Sequence, residues 1–316
     1  MIATSTEALN QNGAALYRLS AKEELSEVMR WSGQGFLRAH SYNGRVAVPD
    51  ADAPFGLGFF VRFDVDGFVF FVDPSEPKKI AKGVIPSVYH VFDTALLDGH
   101  LYASSGAYVP RDMPYRSSRA PAALFVEEEQ GKPWRRVIEH PETTQEVSTG
   151  VIRFTYLLPL SEGGLLAGVS DWNAGSYAVR IEGLPDSPRL ARIEGIEGQT
   201  LRWARFQERV YHIAQANFGT LLTVSVDGGR HFQAMSAQKS ILNPQDLVAI
   251  GDTLFLLASG KLYQSQDGES FSLVSLENPS LFHQDSSLVS APLEVHEGRL
   301  FAASPTSGEI FEAVPQ

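Results

Sequence analysis

The chain has 316 residues, 43% apolar and 20% charged, with 26 Lys and Arg against 37 Asp and Glu and a formal net charge of −11. That balance excludes nucleic acid and anionic membrane as main partners, because both require a basic face. Cysteine is absent, which removes disulfides, thiolate catalysis and Cys-ligated metals. No run of about eighteen apolar residues offers a membrane-spanning helix. Residues 1–13 lack the basic start and apolar stretch of a signal peptide. The expected location is therefore cytoplasmic, or the chain is a processed form that has lost a leader.

In chain order, 15–19 (ALYRL) and 25–29 read as two strands. Residues 22–30 carry some helical rhythm, but their place in the repeat argues for turn and strand. A landmark then recurs, a polar turn followed by an apolar strand. Asn43-Gly44 precedes RVAV, Asp98-Gly99 precedes HLYA and Gly163-Gly164 precedes LLA. Gln207-Glu208 precedes RVY, Gly251-Asp252 precedes TLF and Glu297-Gly298 precedes RLF. Landmark positions 44, 99, 164, 208, 252 and 298 are spaced by 55, 65, 44, 44 and 46 residues. The last three spacings match the ~40–45 residues of a four-stranded propeller blade.

Six landmarks predict an all-β, six-bladed β-propeller forming a single domain over 1–316. The last landmark leaves room for only two strands, at 299–304 and 308–313. N-terminal strands pairing in the last blade would complete the ring and remove its exposed edge. Longer early spacings predict insertions at 55–66 and at 107–121, the second reading AYVPRDMPYRSSRAP.

The first strand of each propeller blade lines the channel, so equivalent positions form a ring. Six residues before each landmark stand Arg38, Asp93, Leu158, Arg202, Asp246 and Pro292. Four before the first and last stand His40 and Glu294. Arg38–Asp93 and Arg202–Asp246 are expected as ion pairs between neighbouring blades, because charge near the axis must be compensated. The other reading is that parts of the ring bind a polar or anionic ligand. The ligand-binding candidates are Arg38, His40, His90, Asp93, Arg153 and Arg202. Arg111, Tyr115 and Arg116 of the second insertion join them, since long loops rich in Arg and aromatics commonly carry recognition.

Were the chain an enzyme, Asp93, Asp246, Glu294 and His90 would be its acid–base candidates. No H-x-x-x-H or H-x-H spacing occurs, and Asp64-x-Asp66 is only a fragment of a calcium loop. P-loop, G-x-G-x-x-G and G-x-S-x-G patterns are absent. No metal and no cofactor are therefore expected. The expected partner is a small polar ligand, a glycan or a protein.

One phrase occurs twice. Ser225-Val226-Asp227-Gly228-Gly229-Arg230-His231-Phe232 and Ser265-Gln266-Asp267-Gly268-Glu269-Ser270-Phe271 each follow an apolar strand and place Ser-x-Asp before a Gly turn. The first resembles the Asp-box of sialidases and other β-propellers, and the second is the same phrase one residue shorter. Sialidases hold the substrate carboxylate with three Arg and use a Tyr–Glu nucleophile pair and an Asp acid. Their first Arg stands in an Arg-Ile-Pro phrase. Here the corresponding segment is Phe36-Leu37-Arg38-Ala39-His40, which keeps the Arg without Ile-Pro, and Arg153 and Arg202 are nominated for the other two. No Tyr–Glu pair is identified. The scaffold without that catalytic set implies a non-enzymatic binding propeller that recognises a polar ligand or protein at a channel mouth. The alternative is a sialidase-like or other glycan-acting enzyme using inner-strand carboxylates and arginines.

Overall fold

The computed structural model describes residues 2–5, 14–20, 24–31, 35–50, 66–86, 88–108, 122–140, 152–171, 175–217, 219–236, 241–277, 293–304 and 310–313. Among them the regular elements are all β-strands, and no α-helix occurs. Contacts divide the chain into two compact units, Met1–Gly175 with Ile181–Leu190, and Ser176–Arg180 with Ala191–Gln316.

The first unit opens with an antiparallel sheet of β1 (Ile2–Ser5), β2 (Ala14–Leu19) and β3 (Leu25–Trp31). A four-stranded meander follows, β4 (His40–Tyr42), β5 (Arg45–Pro49), β6 (Gly67–Val72) and β7 (Ile80–Ile85). The next sheet joins two meanders. One is β8 (Val88–Leu97), β9 (His100–Tyr108), β10 (Ala123–Glu127) and β11 (Arg135–Glu139). The other is β12 (Ile152–Pro159), β13 (Leu165–Asp171), β14 (Gly175–Glu182) and β15 (Arg189–Arg192). They meet where β9 and β12 pair at Gly106 and Arg153.

The second unit holds two more four-stranded meanders. These are β16 (Gln199–Phe206), β17 (Arg209–Ala216), β18 (Gly219–Ser225) and β19 (Gln233–Ala234), then β20 (Pro244–Ile250), β21 (Thr253–Ala258), β22 (Lys261–Ser265) and β23 (Ser272–Glu277). A three-stranded sheet of β24 (Leu293–His296), β25 (Arg299–Ala303) and β26 (Ile310–Ala313) ends the chain.

Strand composition follows position within each sheet. Middle strands such as ALFVE of β10 are buried at every residue, and TLFLLA of β21 at all but its first. A strand covered on both faces reads as a continuous apolar run. Outer strands such as β11 (RRVIE) and β15 (RLAR) have no fully buried residue, and charged side chains there guard an exposed edge.

Every landmark of the sequence is the hairpin between the first and second strands of a sheet. At Asn43-Gly44, Asp98-Gly99 and Glu297-Gly298 both loop residues have positive φ, 47° and 75°, 51° and 81°, and 51° and 74°. That is the type I′ requirement, met by Gly and tolerated by Asn and Asp. The landmark at Gly163-Gly164 differs. Its strands close at Pro159 opposite Leu165, so the loop is longer than the two-residue turns. The N-terminal expectation of two strands is met by β2 and β3, and the helical rhythm of 22–30 yields to sheet pairing. Ala14 and Leu16 of β2 are fully buried with Phe36, Val48, Phe70 and Val72.

Candidate functional site

A bulge shapes the first strand in several sheets. In β8 the register passes from Val91↔Ser105 to Asp93↔Ser104, leaving Phe92 as the extra residue. β16 skips Leu201 and β20 skips Gln245 in the same way, immediately before Arg202 and Asp246. β12 shifts register between Phe154 and Leu157. A bulge bends the strand and re-aims the next side chain. In β8 and β20 that side chain is an aspartate directed at a neighbouring strand.

Asp93 is 2% exposed. Its Oδ1 accepts the amide of Thr94 at 2.9 Å, and its Oδ2 accepts the amide of Leu157, in β12, at 2.9 Å. His40 Nε2 lies 2.6 Å from Oδ1. Ser104 tightens the same spot, donating its hydroxyl to the Thr155 carbonyl at 2.6 Å while accepting the Asp93 amide at 3.0 Å. Asp93 therefore ties β4, β8 and β12 together.

The expected Arg38–Asp93 ion pair is replaced by His40–Asp93. Arg38 instead lies over the ring of Tyr156, 4.4 Å from its centroid. Tyr156 is buried, and an Arg over an aromatic face gains from the ring quadrupole. Arg153 lies over Phe92 at 5.8 Å, and the His90 ring is tilted against Phe92 at 5.4 Å. Gly106 makes this crowding possible. A Cβ there would stand 2.7 Å from Arg153 Cγ and 2.8 Å from Phe92 Cε2. Arg38 thus lies over Tyr156 of β12, Arg153 and His90 lie against Phe92 of β8, and His40 of β4 meets Asp93.

The second unit builds the same joint with a different cation. Asp246 is fully buried; its Oδ1 accepts the amide of Leu247 and its Oδ2 the amide of Leu293, each at 2.8 Å. Arg202 Nε stands 3.0 Å from Oδ1, so the expected Arg202–Asp246 pair is present. Arg202 also donates to the Leu247 carbonyl at 3.2 Å. Glu294, on the neighbouring strand, is exposed and accepts the amide of Val295 at 3.2 Å. His212 is sealed between Thr200 and Thr223 with Trp203 stacked on it, 4.2 Å between centroids. Burial lowers its pKa to about 3.

One sequence expectation needs correction. Counting back from Gly164 picks Leu158, but the longer loop displaces the count. Counted from the strand end at Pro159, the counterpart of Arg202 in β12 is Thr155, next to Tyr156. Tyr156 was missed for that reason, and the loop length was the signal that would have found it. Arg111, Tyr115 and Arg116 lie outside the described residues, as do 55–65 and Pro292. Among the described residues, no three His, Asp or Glu side chains are grouped to hold a metal ion.

The turns between third and fourth strands share a second device. Ser225 donates to Asp227 Oδ1 at 2.7 Å and accepts the Gly229 amide at 2.9 Å, while Asp227 accepts the amides of Arg230 and His231 at 3.0 Å. Ser265 repeats this with Asp267 and the Gly268 amide, both at 2.9 Å, and Asp267 accepts the amides of Glu269 at 2.8 Å and Ser270 at 2.7 Å. Burial alone would raise Asp227, but hydrogen bonds from His231 and Ser225 hold it well below the usual carboxylate range. The amides of Ser270 and Glu269, with Ser265, do the same for Asp267. In the β10–β11 turn Glu127 takes the serine's place, its Oε1 accepting the Gly131 amide at 2.9 Å. These turns seat on the preceding sheet: Tyr211 donates to the Gly268 carbonyl at 3.1 Å, and Arg180 to that of Gly228.

No protein-family model matches the chain, and no curated protein matches it. Among solved structures, Trypanosoma rangeli sialidase with the inhibitor DANA matches with a TM-score of 0.52 at 12% identity, over 98% of this chain and 58% of that one. A chain from a study of two prolyl endopeptidases matches with a TM-score of 0.53 at 12% identity, over 96% of this chain and 46% of its own. This chain thus spans about half the length of either. At such identity the likeness concerns the fold alone, and the fold is that of the sialidase-like β-propellers.

Proposed function

We propose that this chain is a non-enzymatic binding propeller that takes a small polar, anionic ligand on β4, β8 and β12. One observation carries the reading. Both oxygens of Asp93, and both oxygens of Asp246, are engaged by backbone amides of two strands. A glycosidase needs two carboxylates across a cleft, one to protonate the leaving group and one to attack or activate water. Carboxylates fixed in backbone joints serve neither role. The strands that Asp93 joins also carry Arg153 and His90 against Phe92, with His40 at Asp93 and Arg38 over Tyr156. Planar guanidinium groups suit carboxylate recognition. In this reading Arg202 and Asp246 hold the scaffold. Arg111, Tyr115 and Arg116 remain candidates for the rim.

The same proposal gives the scaffold six blades. The five four-stranded meanders supply five of them, and β24–β26 with the N-terminal strands form the sixth. The Ser-x-Asp turns are its Asp-boxes, which fix the outer strands and stand apart from recognition.

Calorimetric titration with glucuronate, N-acetylneuraminate and glucose tests the binding. The two acids are expected to bind and glucose is not. Arg38→Gln or Arg153→Gln should weaken the acids by about tenfold to a hundredfold, the range of a charge-assisted hydrogen bond. Turnover of aryl glycosides or sialosides, or equal binding of glucose and glucuronate, would overturn it.

A further inference from the structure

The first two meanders of the first unit meet along a seam that contains a carboxylate. In the second meander Leu101 pairs with Glu127, and Val126 pairs with Arg135, which brings Trp134 opposite Glu127 one step further on. Residues opposite each other across strands share a face, so Leu101, Glu127 and Trp134 form one row. Glu127 is 1% exposed. Leu101 and Trp134 pack in one apolar cluster with Tyr42, Phe71 and Ile85 of the first meander. The indole edge meets β7, where a Cβ on Gly83 would stand 2.7 Å from Trp134 Nε1.

Three polar atoms of this seam are left over. Glu127 Oε1 accepts the Gly131 amide. Among the described residues, Glu127 Oε2, Trp134 Nε1 and Tyr42 Oη are buried without a hydrogen-bond partner. Tyr42 and Glu127 are near enough for each to shift the ionisation of the other. A buried polar atom gives up its hydration and needs a partner in return. The later turns show the complete arrangement: Ser225 and Ser265 accept a glycine amide, as Glu127 does, and donate to Asp227 and Asp267. No side chain completes the Glu127 turn in that way.

We propose that the seam is an internal water site, with Glu127 Oε2, Trp134 Nε1 and Tyr42 Oη as its partners. A water molecule brings two protons and two lone pairs. It accepts the indole N–H, donates to the carboxylate oxygen and meets the phenol hydroxyl in either sense. Internal waters make about three such bonds, to polar groups that the chain itself does not satisfy. The three atoms are closed to solvent, so the occupant is water and not a larger polar ligand. The site joins the two meanders independently of the binding reading.

Two measurements decide the matter. A high-resolution crystal structure should show a solvent peak within hydrogen-bond distance of Glu127 Oε2 and of Trp134 Nε1 or Tyr42 Oη. A Tyr42 hydroxyl bonded directly to Glu127, with no peak beside them, overturns the proposal. Oxygen-17 relaxation dispersion of water counts long-lived internal waters in solution. Glu127→Leu should hold one fewer than the wild type, because leucine offers the seam no acceptor, and an equal count overturns the proposal. Tyr42→Phe keeps the carboxylate and the indole, so it should retain the water with a shorter residence time. An unchanged residence time removes Tyr42 from the site and overturns the assignment. The crystal structure and Tyr42→Phe decide the matter even where Glu127→Leu fails to fold.

Discussion

Asp93 in the first unit and Asp246 in the second build one joint in two ways. Each follows a bulge, gives one oxygen to the next amide of its own strand, and gives the other to an amide on the first strand of the following meander or sheet. They differ in the cation. Asp246 is fully buried and meets Arg202, itself 15% exposed, which cannot shed its proton. Asp93 meets His40, 39% exposed, which can. A permanent charge sealed in the interior makes a joint that serves the fold alone. A half-exposed imidazole leaves one ring nitrogen for something else. The comparison therefore sorts the charged residues of inner strands by burial and partner, which residue type alone does not.

The largest expected effect is at the sealed joint. Asp246→Ala strands the Arg202 charge and leaves the Leu247 and Leu293 amides without their acceptor, and breaking a buried pair from one side costs ~3–5 kcal/mol. Urea unfolding at pH 7 should show it. A shift within experimental error would erase the distinction between the two joints.

His212 sharpens the contrast between a closed and an open histidine. Its folded-state value, about 3, lies below the ordinary histidine range. Above that range it is neutral in both states and imposes no penalty. As pH falls, the unfolded chain takes up a proton that the folded chain refuses, so stability is lost by roughly 1.4 kcal/mol per pH unit until the folded value is reached. His212→Asn should flatten the acid limb of the stability curve over that window, read by urea midpoints in a pH series. An unchanged slope would assign the acid sensitivity elsewhere.

Gly106→Ala probes the first unit by itself. The new methyl meets Arg153 and Phe92 inside contact distance, and overpacking of this kind costs ~1–3 kcal/mol. Glucuronate affinity should fall together with stability, because Arg153 must move. Retained affinity in a destabilised variant would remove Arg153 from the ligand's surroundings.

Glu127→Gln is the mildest change. Burial raises the Glu127 carboxyl, with the Gly131 amide, Tyr42 and Arg45 opposing. The folded state thus holds the proton more tightly than the unfolded one. The stability this contributes is full below the unfolded carboxylate range and is lost as pH rises through the folded value. Glutamine cannot ionise, so at pH 7.5 the variant should be slightly more stable, by under ~1 kcal/mol. The gain should vanish at pH 4. A gain that persists there would show that ionisation is not its source.

Much of the fold was legible because it rests on local chemistry. The landmark turns put Gly, Asn or Asp at most of their positive-φ positions, with Gln207 and Glu297 as the exceptions, and each one found in the sequence joins the first two strands of a meander. The Ser-x-Asp turns were legible for the same reason, and so were β2 and β3. The Arg202–Asp246 pair followed from counting back along the strand. The first-unit site was only half legible. Arg38, His40, His90, Asp93 and Arg153 all stood among the candidates, yet Arg38 and His40 exchanged their expected roles. A bulge adds a residue without a sequence mark, and the long Leu160–Gly164 turn shifted the count past Thr155 and Tyr156. Gly106 gave no signal either, since its need comes from two side chains distant in sequence.

The central claim is that Asp93 is a structural joint and not a general acid. Urea unfolding of Asp93→Ala at pH 7, beside the wild type, tests it most directly. With two buried amides left without acceptors, the expected loss is ~2–3 kcal/mol, smaller than for Asp246→Ala because His40 can shed its charge into solvent. Unchanged stability together with abolished glucuronate binding would contradict the account and make Asp93 part of the ligand's own contacts.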